Sequence, residues 1–207
     1  MAQTTQTAPA PTRTAAVSSI ADPGPLGLAG FAMTTLVLST YNADLIHTGS
    51  GVVLGLALFY GGLGQLLAGM WEFVKGNTFG AVAFSSYGGF WLSYWWLVNH
   101  IPTDAAGRDL VHGIGLYLLA WGIFTTYMFV ASTRVSGAVM AVFGALALTF
   151  FALSIGAFVE GANPPDGWTK LGGWLGLITA ALAWYASFAA VTNSTYKRTV
   201  LPTFPRE

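Results

Sequence analysis

The chain has 207 residues, 54% of them hydrophobic and only 8% charged, against about 25% charged in a soluble domain. So few charges cannot cover a globular surface, and the expected solvent is a lipid bilayer. Eight basic residues balance eight acidic ones and cysteine is absent, which excludes nucleic-acid binding through a basic patch, disulfides and thiolate metal sites.

Residues 1–21 are rich in Ala, Thr, Pro and Ser, with Arg13 their only charge, and read as a disordered cytoplasmic tail. Asp22 is placed to cap a first helix, with Pro23 and Pro25 in its first turn, where a missing N–H costs nothing. Six stretches free of charge and histidine follow: 23–43, 48–71, 76–99, 113–133, 135–159 and 171–196. Each can cross a hydrocarbon core of about 30 Å as a helix. The expected fold is an all-α integral membrane protein with six transmembrane helices in one bundle spanning 22–202, and a C-terminal tail at 203–207. Arg13, Lys75, Arg134, Lys197, Arg198 and Arg206 fall on the side of the N-terminus and only Arg108 and Lys170 on the other, which puts both termini in the cytoplasm. All three histidines fall in outer loops on this reading. Trp71, Trp95, Trp96, Trp168 and Trp174 fit interfacial belts, whereas Trp184 lies near mid-membrane, in the core or on a pathway.

Catalysis is poorly provided for. An intramembrane serine protease needs a base beside its nucleophile, and no histidine falls inside a predicted helix. No set of histidines or carboxylates converges on a metal, and no cofactor is expected. Transport is better provided for. At helical spacing Phe31, Thr35, Leu38 and Asn42 share a face, as do Gly62, Gln65, Gly69 and Glu72, and Gly80, Phe84, Tyr87 and Trp91. Each stripe mixes small, polar and aromatic residues, which suits either core packing or a lined pathway. No charge is predicted near the midplane, so an anion would be held by neutral donors: hydroxyls such as Thr34, Thr35 and Ser86, with Asn42, Gln65 and Tyr87. A weak acid could also pass protonated, avoiding the cost of an ion in low dielectric. Glu72, Lys75 and Asn77 mark the inner mouth, as an interfacial charge pair or a relay, and Glu160 has the same two readings at the outer end.

The stretch Pro23-Gly24-Pro25-Leu26-Gly27-Leu28 resembles the N-P-A-P-L-G-L signature of the acetate uptake transporter family, the succinate–acetate permeases. Phe59-Tyr60-Gly61-Gly62 with Gln65, Gly76-Asn77-Thr78-Phe79-Gly80, Ser85-Ser86-Tyr87-Gly88-Gly89-Phe90-Trp91 and Arg198-Thr199-Val200-Leu201-Pro202 are similar to further stretches of it. The resemblance implies uptake of acetate and related short carboxylates such as succinate, with protons or in a channel-like manner. It also implies a six-helix protomer assembling into homo-hexamers in the cell membrane. It places a Phe–Leu–Tyr constriction on Phe31, Leu146 and Tyr87, a residue affecting substrate size on Ala183, and signature contacts on Pro25, Leu26 and Gly27. Asp22 and Gly24 depart from the signature's Asn and Ala. A passive channel for small anions or neutral solutes is the alternative.

Overall fold

The computed structural model describes residues 20–101, 107–161 and 165–206; the tail expected before Asp22 lies almost wholly outside them. Among the described residues the secondary structure is helical, with one isolated bridge pairing Ser136 and Pro205. Helix α1 runs Gly24–Asn42, α3 Thr78–His100, α4 Arg108–Ser132, α5 Gly137–Val159 and α6 Gly167–Tyr196. Helix α2, Val52–Lys75, is continuous but passes through a π-helical turn at Phe59–Gly64. Among the described residues four segments are long and apolar enough to cross a membrane: α2, α5, α6 and Asp109–Ser132 of α4. Helices α1 and α3 fall outside that group, and both are rich in hydroxyl or aromatic residues.

The predicted boundaries move at one end of the bundle. Lys170 lies inside α6, and His112 lies inside α4 rather than in a loop; His100 is the last residue of α3. A charge marks where the bilayer core ends, and a helix can continue past it into the interface. Trp184 is 37% exposed on the outside of α6, which removes it from the core and from any pathway.

The helices pack in chain order, and α6 closes against α1. That closing seam brings two backbones together: a Cβ at Gly173 would stand 2.5 Å from the Asn42 carbonyl carbon, an approach only glycine allows. The α3–α4 seam is the reverse. Backbone contact there is sparse, and rings fill the gap: Phe90 with Tyr117 at 5.8 Å between centroids, Phe90 with Trp121 at 5.2 Å, and Tyr87 with Phe124 at 5.5 Å. Phe31, Tyr87, Phe143, Leu146 and Phe150 lie in the buried core between the seams.

Candidate permeation site

A cavity of about 210 Å³ opens where α1 and α3 begin and α2 ends. Gly76, in the left-handed region at φ 80°, turns the chain out of α2 so that Asn77 can cap α3. Asn77 Oδ1 accepts from the Gly80 N–H at 3.2 Å, and its Nδ2 donates to Glu72 Oε2 at 2.8 Å. Glu72 is 1% exposed. The predicted Glu72–Lys75 pair is loose, at 3.8 Å; Lys75 Nζ donates instead to Asp22 Oδ1 at 2.7 Å. Asp22 stands one residue before the helix cap, which is Pro23, and accepts from the Gly24 N–H at 3.0 Å. The four side chains therefore form one network on the cavity wall. Pro25 lines the same cavity, and its carbonyl accepts from Ser187 Oγ of α6 at 2.7 Å.

The end of the chain completes this wall. Asn193 Oδ1 accepts from the Val200 and Leu201 N–H groups, at 2.7 and 3.0 Å. The N–H groups of Gly137 and Ala138, orphaned at the start of α5, donate to the carbonyls of Phe204 and Thr203 at 2.7 and 3.2 Å. Residues 203–206, expected as a tail, are thus docked, and Thr203 faces the cavity.

Leu28, Ala83, Phe84 and Phe143 are common to this vestibule and to a second, narrow cavity of about 20 Å³. That volume holds about one water. Phe31, Tyr87 and Leu146 all line it, together with Gln65. The rings of Phe31 and Tyr87 are 5.8 Å apart. Tyr87 Oη and Thr125 Oγ1 are 2.9 Å apart. Thr125 spends its own hydrogen on the Trp121 carbonyl at 2.7 Å, so Tyr87 is the donor and its hydrogen is already engaged. Gln65, the first residue after the π-helical turn, is 1% exposed, and its Oε1 has no hydrogen-bond partner.

The remaining expected residues divide. Gly27 is buried against the Phe84 ring, and Ala183 is fully buried in the core that contains Phe31, Tyr87 and Leu146. Thr35 is buried with an unpartnered Oγ1. Thr34 donates its hydroxyl hydrogen to the Gly30 carbonyl at 2.8 Å, and its side chain packs on Gly61. Leu26 is 46% exposed and lines neither cavity. Asn42 lines neither cavity, and Ser86 borders an open recess with Ala120, Trp121 and Phe124. Leu28 and Phe143 were missed, although each sits three residues before an expected constriction residue and so on the same helix face.

At the opposite end Lys170 Nζ and His47 Nδ1 contact the Asp44 carboxylate at 2.9 and 2.7 Å. Hydrogen bonding from Lys170, then from His47, holds that carboxyl below its usual range. Glu160 accepts from the N–H and the hydroxyl of Thr169, at 3.2 and 2.6 Å, and so caps α6.

The family model described as GPR1/FUN34/yaaH matches residues 4–206. The chain is 37% identical to the succinate-acetate/proton symporter SatP of Escherichia coli strain K12, over 89% of this chain and 96% of that one. It is 40% identical to acetate permease A of Emericella nidulans, over 88% of this chain and 65% of that longer protein. A solved structure of the bacterial acetate channel SatP superposes with a TM-score of 0.80 at 38% identity, covering 89% of this chain and 99% of that one. These names describe transporters or a channel, not enzymes, and they agree with the resemblance of the segment from Pro23 to Leu28. With nearly its whole length matched, the chain belongs to the GPR1/FUN34/yaaH family.

Proposed function

We propose that the chain carries acetate and related short carboxylates, succinate among them, across the cell membrane with a proton. The observation that carries this reading is that a charged vestibule shares four of its lining residues with a narrow cavity lined by Phe31, Tyr87 and Leu146. Residues 22–202 form the transporter domain, with six spans, both termini in the cytoplasm and one pathway in each protomer of a homo-hexamer. The vestibule receives the acid from water before the neck. The neck, with no formal charge in its lining, rejects ions on desolvation grounds and admits a small acid with an apolar end. A carboxylic acid of pKa about 4–5 is roughly 1% neutral at pH 7, so acidity raises flux.

The test is uptake of labelled acetate into proteoliposomes, with and without an inward proton gradient. Accumulation above passive acid partitioning is expected. Faster equilibration without accumulation establishes a passive channel, the second reading, which the channel structure favours. Absence of any protein-dependent uptake overturns both.

A further inference from the structure

Among the described residues, four buried side-chain polar atoms lack a hydrogen-bond partner: Thr35 Oγ1, Gln65 Oε1, Ser85 Oγ and Trp91 Nε1. One of them lies in the neck, and helical spacing sets two more a turn beyond it. Gln65 lines it. Thr35 follows Phe31, and Trp91 follows Tyr87, by four residues on the same helix face, one turn further from the vestibule. Thr35 is exceptional among its kind. The buried threonines Thr34, Thr125, Thr149 and Thr179 each donate to the carbonyl four residues back in their own helix, at 2.7–2.9 Å. An orphaned polar group in an apolar site is costly, and the one that lines the neck, Gln65 Oε1, points to a passing ligand.

We propose that Gln65 selects the protonated form of the acid, an inference that rests on the transporter reading. Its Oε1 accepts the O–H of a carboxylic acid, which a carboxylate lacks. Trp91 Nε1–H and the Thr35 hydroxyl then take the acid's oxygens beyond the rings. The anion gains its proton from water in the vestibule and returns it on the far side, so one proton crosses with each acid. Tyr87 is the titratable group in the neck lining, and its hydroxyl is bonded to Thr125. Glu72 and Lys75 lie two or more turns along α2, so the protein need not titrate.

The experiment uses two small neutral probes against labelled acetate uptake by the full chain in proteoliposomes. Acetamide offers an N–H to Gln65, whereas acetonitrile of similar size offers none. Acetamide is expected to slow uptake and acetonitrile to leave it unchanged. Gln65→Met is expected to lower protein-dependent flux at pH 6 about tenfold and to erase the difference between the probes, with unchanged size-exclusion behaviour as the check of folding. Equal effects of the two probes on the unaltered chain overturn the proposal, as does flux that follows anion concentration alone. Those outcomes leave transport standing, whereas absence of uptake by the unaltered chain removes the transporter reading itself.

Discussion

The vestibule and the neck share Leu28, Ala83, Phe84 and Phe143, yet the first encloses about 210 Å³ and the second about 20 Å³. Of the residues lining the two cavities, those with formal charge, Asp22, Lys75 and Glu72, all line the wide one. A charge beside water keeps much of its hydration, whereas one in a cavity the size of a single water would lose nearly all of it. On the proposed function the division would separate two tasks, receiving a hydrated solute and passing a dehydrated one, and each could be disturbed without the other.

The largest effect is expected in the neck. Leu146→Ala removes a side chain that is 4% exposed and should cost about 2–3 kcal/mol of stability. It should also raise lactate uptake relative to acetate about tenfold, read from paired uptake assays; unchanged selectivity in well-expressed Leu146→Ala and Phe31→Ala chains would refute the constriction. Next comes Glu72→Ala. It leaves Asn77 without its acceptor and a small void behind α3, and thermal unfolding in detergent should show a loss of about 1–3 kcal/mol, with neck selectivity retained. Asp22→Asn is milder, because Asp22 is half exposed and such pairs contribute at most about 1 kcal/mol. It frees Lys75 from an internal carboxylate, so the half-saturating acetate concentration should fall while lactate exclusion is unchanged. The smallest effect lies at the far end. The Asp44 carboxyl is held below its usual range by Lys170 and then His47, so its contribution is present above the ordinary carboxylate range and is lost as pH falls through the depressed value. The stability difference between the unaltered chain and Asp44→Asn should shrink as pH falls below about 4, through the depressed value.

Much of this contrast was legible in the residues. Charge-free stretches located the helices because burying a charge in lipid is costly wherever it falls. Phe31, Tyr87 and Leu146, which the resemblance set together, line one narrow cavity. Helical spacing alone could not orient Leu26 or Trp184, since an apolar side chain suits lipid and core equally. Thr34 and Thr35 are neighbours of identical chemistry, and only the geometry separates the hydroxyl bonded to Gly30 from the one left free. Nor could periodicity anticipate the π-helical turn at Phe59–Gly64. Each residue of an α-helix advances the face by about 100°, so one extra residue in that turn resets the direction of everything after it, Gln65 first.

The absence of formal charge from the neck lining has an electrical meaning. An ion crossing a membrane does work against its voltage, about 2.3 kcal/mol per elementary charge for each 100 mV. A solute that sheds its charge at the vestibule and regains it beyond Thr35 does none. Uptake through such a neck would carry no current and would neither draw on the membrane potential nor discharge it. A cell could then take up acid at any voltage, with the difference in acidity between its two sides as the driving force.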